Sequence, residues 1–202
     1  MPFPIDNHTI EAIQKHFKRK NFEYTENYFL SILDNKQSTK YDIYWAVLGL
    51  TGVGTKKSIK PLKDIRSYSM EDIKNRSILT IAHIAGKDET LYYVECLSDK
   101  KMKKDYPMWA IYDTADEKAI DGVLEYLTKV YKKWKQPQCN YAGDAYLEGL
   151  LYLERFSKID KRIIELFSLY KNIISKMPSG ARDTISEQTI VLKKILFSNL
   201  EM

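Results

Sequence analysis

The stretch "GLTGVGTKKS", residues 49–58, places three glycines before two lysines and a serine, the residue types from which phosphate cradles are built. A nucleotide-gripping loop needs the frame G-x-x-x-x-G-K-[ST]. Its lysine must reach the terminal phosphates while backbone amides hold the others. Gly49 and Gly54 have the right separation, but Thr55 stands where the lysine belongs, and Lys56 and Lys57 come too late. The preceding "YDIYWAVLGL" also reads as helix rather than strand. The stretch is therefore expected to be a turn between two helices, with Gly54 left-handed at a helix end and Gly86 in the same role.

Other reactive residues are sparse. His8, His16 and His83 show no metal-ligand spacing with a cysteine or carboxylate, and no cofactor motif is read. Cys96 and Cys139 form no paired signature and read as reduced thiols of a cytoplasmic protein, with Cys96 in a helix core. Neither a GxSxG elbow nor a nucleophile with a recognisable base stands out. Trp109 and Asp113 are four apart and share a helix face, with Tyr112 beside them.

Charge is segregated. Lys56, Lys57, Lys60, Lys63 and Arg66 face Asp64 alone, whereas Asp113, Asp116, Glu117, Asp121 and Glu125 face only Lys118. Lys129, Lys132, Lys133 and Lys135 interleave with Tyr131 and Trp134 in "KVYKKWK" and its flanks. Each run is either a solvated helix face or part of a protein-docking surface, where charge speeds encounter and aromatic rings anchor contact. The candidate partner-binding residues are Trp109, Tyr112, Asp113, Asp116, Glu117, Asp121, Glu125, Lys60, Lys63, Tyr92 and Tyr93. With fifteen tyrosines in the chain, some are expected to be exposed.

The elements that must position these residues read as nearly all helix. Hydrophobic residues make up 44% and charged residues 29%, a globular balance, and no apolar run reaches the roughly 18 residues a bilayer span requires. The start, "MPFPIDNHTIEA", has no basic-then-apolar order, so no secretory signal is expected. The net charge of +5 is too mild to mark a dedicated nucleic-acid binder by itself. Apolar residues recur at helical spacing and predict helices near 8–19, 23–34, 40–52, 58–67, 70–85, 88–99, 106–114, 116–134, 142–156, 159–176 and 184–198. Thr114-Ala-Asp-Glu117 reads as a capping box and Ser69-Met-Glu-Asp72 as a looser one. Pro61 is tolerable if Ser58 caps a helix that starts at Ile59.

A repeat organises these helices. Ile59, Leu62 and Ile65 recur as Leu91, Val94 and Leu97, and Gly54 maps to Gly86 (86 − 54 = 32). Ala46 and Leu50 map to Ile78 and Ala82. A third copy runs through Ile111, Ile120, Val123 and Leu127 at shorter spacing. A period in this range signals a helical solenoid in which neighbouring pairs share one core. The segments "AVLGLTGVGTKKSIKPLKDI", "ILTIAHIAGKDETLYYVECL" and "WAIYDTADEKAIDGVLEYL" resemble HEAT-like repeats. The resemblance implies an all-α, right-handed α-α superhelix of antiparallel pairs forming a single domain over 1–202. Residues 1–39 would be an N-terminal pair, 40–134 the clearest repeats and 141–202 a C-terminal helical cap. The turn aspartate frequent in that family is missing after Gly54.

Two function classes follow from the resemblance. Short HEAT-like chains without catalytic motifs resemble immunity proteins of bacterial contact-dependent inhibition and other polymorphic toxin systems. That implies a non-enzymatic, one-to-one binder that occludes a toxin, a nuclease foremost, with the acidic 113–125 segment standing in for phosphate. HEAT-like alkylpurine DNA glycosylases place aromatic residues and an aspartate on a concave surface, which Trp109, Tyr112 and Asp113 could supply. Lys56 to Arg66 and "KVYKKWK" would then hold nucleic acid. A general interaction scaffold is the third reading.

Overall fold

A computed structural model describes residues 5–18, 21–65, 71–134 and 145–187. Among these no strand occurs. The order is α1 (Asn7–Phe17), α2 (Glu26–Asp34), α3 (Lys40–Val53), α4 (Lys56–Asp64), α5 (Glu71–Ala85), α6 (Thr90–Ser98), α7 (Asp105–Thr114), α8 (Ile120–Trp134), α9 (Ala145–Glu154), α10 (Lys161–Ile173) and α11 (Ser179–Glu187). The last helix begins five residues before the expected 184, and the rest of that prediction lies outside the described residues, as does Ser69.

Short polar side chains start these helices. Asp6, Thr25, Thr55 and Asp160 each accept a backbone N–H at the opening turn of α1, α2, α4 and α10. Thr39 and Asp42 form a reciprocal capping box at α3. Two expected caps are corrected. Thr114 ends α7 and turns its hydroxyl back to the Ala110 carbonyl at 2.8 Å. Ala115 follows in the left-handed region at φ 47°, and Asp116 caps the next turn instead. Helix α4 begins at Lys56, so Pro61 sits inside it.

The helices contact one another in two rows. Helices α1, α3, α5, α7 and α9 touch in that order. On the other side α2 meets α4, α6 meets α8 and α8 meets α10, while α4 reaches α6 through Lys63, whose Nζ lies 4.9 Å from the Tyr92 ring centre. Between the rows, α2 packs on α3, α4 on α5, α6 on α7 and α8 on α9. Helices α9 and α10 both pack on α8, where the sequence period had faded.

The interior lies between the rows and is continuous from Phe17 and Phe29 through Leu62, Ile78, Tyr93 and Ile111 to Leu127, Leu150 and Tyr170. The face of α4 follows the repeat, with Ile59, Leu62 and Ile65 buried. The face of α6 does not: Leu91 is 69% exposed, and Thr90, Tyr93, Cys96 and Leu97 turn inward. The inward register of α6 is therefore one residue earlier than the 32-residue match suggests. In α8, Ile120, Val123 and Leu127 point inward as expected.

The starts of successive even-numbered helices are tied together. Glu26 of α2 accepts from the Thr55 backbone N–H (2.7 Å), the Thr55 hydroxyl (2.8 Å) and the Ser58 hydroxyl (2.7 Å) of α4. Lys56 pairs with Asp88 ahead of α6, Thr90 donates to Asp116 ahead of α8 at 2.8 Å, and Asp121 of α8 pairs with Arg162 of α10. Buried hydroxyls add to this. Tyr93, Tyr152 and Tyr170 donate to the carbonyls of Gly86, Asp116 and Leu127. Burial pushes all three phenols above their ordinary pKa.

The opening glycines act through packing. A Cβ on Gly49 would lie 2.2 Å from the Phe29 ring, and one on Gly54 2.5 Å from the Leu50 carbonyl oxygen and 2.6 Å from Ile84. Gly54 is extended (φ −69°, ψ 145°) rather than left-handed, and only Gly86 takes the expected conformation, at φ 52°. Thr55 is a helix cap, with a helix rather than a strand before it.

Candidate functional site

The exposed side of the odd-numbered row gathers the surface chemistry. On α5, Arg76, Leu79 and His83 recur at helical spacing, and Lys87 continues the line just past the helix end. They form one wall of a pocket of about 260 Å³. Thr51 of α3 closes one side, and Ala110, Asp113 and Thr114 of α7 close the other. Thr51 is held from behind by a 2.9 Å hydrogen bond with the buried Thr80.

Electrostatics in this pocket are shaped by burial. Burial lowers the Arg76 pKa, although the nearby Tyr44 and Tyr106 phenols act in the opposite direction. Burial raises the Asp113 carboxyl, partly offset by Arg155. Tyr44 and Tyr106 lie near Arg76, and further aromatic groups stand beside them on α3 and α7. Tyr44 and Trp45 of α3 pack edge to face at 5.5 Å, and Tyr106 and Trp109 of α7 lie 5.2 Å apart. Trp109 donates its indole N–H to Glu148 at 3.2 Å, and the Arg155 guanidinium stacks 4.0 Å from the Tyr112 ring while donating to the Tyr112 carbonyl. Tyr44, Trp45, Tyr106, Trp109 and Tyr112 are all half-buried.

At the α1 end of the same row, His16 Nε2 lies 2.8 Å from Asp42 Oδ1. The other oxygen of Asp42 accepts from the Thr39 N–H and hydroxyl. Asp42 is 5% exposed, so this pair joins α1 to α3. The 26-residue separation hides it from a search for local spacing.

The sequence-predicted contact residues are divided by the fold. Trp109, Tyr112 and Asp113 lie on the odd-row face with the pocket. Lys60, Lys63, Asp121 and Glu125 lie on the even row, and Glu117 is exposed in the turn between α7 and α8. Two candidates are corrected. Tyr93 has no exposed surface, and Asp116 is buried at 8% exposure. Both are occupied by internal hydrogen bonds and are unsuited to first contact. Tyr92 is also buried at 8%, beneath Lys63.

The acidic run does not form one patch. Asp116 is internal, Asp121 meets Arg162 at 2.7 Å and Glu125 meets Lys129 at 2.6 Å. The aromatic–basic run changes meaning too. Tyr131 and Trp134 are buried at 8% and 1%, with Trp134 packed 4.8 Å from Tyr146, so neither offers a stacking platform to bases. Lys135 and Arg66 lie outside the described residues. Cys96 is buried as expected, and Cys139 lies outside the described residues.

Together the fold and this face define an all-helical protein with a pocket lined by Arg76, Lys87 and Asp113. No protein-family model matches the chain, and no curated protein and no solved structure matches it. Among the described residues no helix is long and apolar enough to cross a membrane, and no group of three or more His, Cys, Asp or Glu side chains is placed to hold a metal ion.

Proposed function

We propose that this chain is a non-catalytic, cytoplasmic binding protein, built as a HEAT-like α-α superhelix, that neutralises a cognate bacterial toxin by covering its active site in a one-to-one complex. A nuclease is the toxin class we favour. The observation that carries the reading is the odd-row face. There Arg76, His83 and Lys87 line the α5 side of the pocket, Tyr44 of α3 and Tyr106 of α7 lie near Arg76, and Trp109 and Tyr112 extend the face toward Glu148 and Arg155. Half-buried Trp, Tyr and Arg side chains are the types that dominate binding energy at protein interfaces. The two-row contact order supports the superhelix, since the main helix contacts among the described residues join near neighbours along the chain.

The steering role assigned to the whole acidic run narrows to the exposed Asp113 and Glu117, since Asp116 is buried and Asp121 and Glu125 are exposed but paired with Arg162 and Lys129. The test is co-expression with the product of an adjacent toxin-like reading frame, followed by measurement of mass and association rate. A one-to-one complex without turnover is expected. Reversing both carboxylates (Asp113→Lys with Glu117→Lys) slows association by about ten-fold if they steer docking. An unchanged rate removes them from the mechanism.

A second reading, a DNA-binding protein or alkylpurine DNA glycosylase, draws on one feature. Asp113 shares its pocket with Arg76, near which Tyr44 and Tyr106 lie. It predicts release of alkylated purines from DNA that Asp113→Asn abolishes, and salt-dependent DNA binding. Lack of both returns the protein to the binding class, where a general scaffold remains the bland form of the proposal.

A further inference from the structure

We infer that the pocket between α3, α5 and α7 is a binding site for an organic oxyanion, a carboxylate or phosphate carried on a compact apolar body. This goes beyond the docking proposal, because the site needs no protein partner to be occupied.

The shape and lining carry the inference. At about 260 Å³ the pocket suits a body of roughly ten heavy atoms rather than a nucleotide. Leu79, Ala82 and Ala110 give it an apolar wall, and the Thr51 and Thr114 hydroxyls are spent on Thr80 and the Ala110 carbonyl, which leaves Arg76 and Lys87 as its donors. The charge is uneven. Arg76 and Lys87 face one acid, Asp113, so the described lining carries two cations against one anion.

The position of Arg76 matters most. A guanidinium withdrawn from water beside an apolar wall gains strongly from an oxyanion, which it grips through paired N–H donors. The Tyr44 and Tyr106 phenols lie near enough to act on its charge. Asp113 stands on the exposed α7 side, where it weakens an anion's hold without blocking entry.

The test is an amide NMR titration of the full-length protein with benzoate, phenyl phosphate and the neutral isostere benzamide. Benzoate or phenyl phosphate should bind with a dissociation constant on the order of a millimolar, and benzamide about ten-fold more weakly. Shifts should centre on Thr51, Leu79, Ala82 and Ala110. The tighter anion of the two identifies the headgroup.

Arg76→Met should weaken the anion about ten-fold or more, Lys87→Gln about three-fold, and Asp113→Asn should tighten it about two-fold. If Arg76→Met does not fold, Lys87→Gln decides, because Lys87 is exposed and lies beyond α5. Equal binding of benzamide, shifts centred elsewhere, no binding of either anion, or unchanged affinity in the folded variants overturns the inference.

Discussion

The tie between α2 and α4 gives the most direct stability prediction. Glu26 accepts three hydrogen bonds from the first turn of α4, and one donor, Ser58, has no exposed surface. Glu26→Ala strands the Ser58 hydroxyl and frees the Thr55 donors, which water can reach. A stranded buried donor costs about 1–3 kcal/mol, and each exposed charge-assisted bond adds less. The loss should be about 2–4 kcal/mol, of which up to about 1 kcal/mol reflects the lost acidic residue in the first turn of α2. Urea unfolding measures it. With a slope of about 3 kcal/mol/M, the midpoint should fall by about 1 M. A double-mutant cycle with Ser58→Ala separates the tie from the local helix effect, with an expected coupling of about 1 kcal/mol or more. Purely additive losses, or a midpoint shift below about 0.2 M, would refute the reasoning.

Three further outcomes follow from the packing and electrostatics. Burial raises the Glu26 and Asp116 carboxyls, but hydrogen bonds, chiefly from Ser58 and Thr90 respectively, outweigh it and hold both below the ordinary range. Their stabilisation is therefore complete above about pH 5 and is lost as pH falls through the depressed values, so Glu26→Gln with Asp116→Asn should flatten the acid limb of a stability–pH curve. Gly49→Ala should destabilise by about 1–3 kcal/mol, because its Cβ would enter the Phe29 ring and α2 would have to move off α3; thermal melting checks this. Asn75 is fully buried in α5 with no hydrogen-bond partner for either amide atom among the described residues, so Asn75→Leu should stabilise by about 1 kcal/mol in the same assay.

Much of the architecture was legible because helical spacing survives in single faces. Ile59, Leu62 and Ile65 announce the buried side of α4 directly. The α6 face misled because its burial is mixed: Thr90 and Tyr93 point inward with hydroxyls satisfied by Asp116 and Gly86, while Leu91 points out. A polar residue with an internal partner looks like surface until the partner is known. The same reason hid Asp116 inside an acidic run, whereas Tyr131 and Trp134 were hidden by the lysines that neighbour them in sequence.

Trp109, Tyr112 and Asp113 could be singled out because their spacing lies within one helix. Arg76 could not, because the pocket needs three helices brought side by side, and no periodicity in one segment encodes that. The His16–Asp42 contact was hidden for the same reason, since its partners sit on α1 and α3. The glycines of residues 49–54 suggested phosphate, yet their role is to let Phe29 and Ile84 approach a helix backbone.

Binding of the partner to two opposed variants tests the central proposal most directly. His83→Glu alters the odd-row face at an exposed position on α5, and Leu91→Glu alters the even-row side at an exposed position on α6. With the toxin from the adjacent frame as ligand, His83→Glu should weaken binding about ten-fold or more, while Leu91→Glu stays within about two-fold. Loss of binding in Leu91→Glu with His83→Glu unaffected would contradict the assignment of the binding face to α3, α5 and α7.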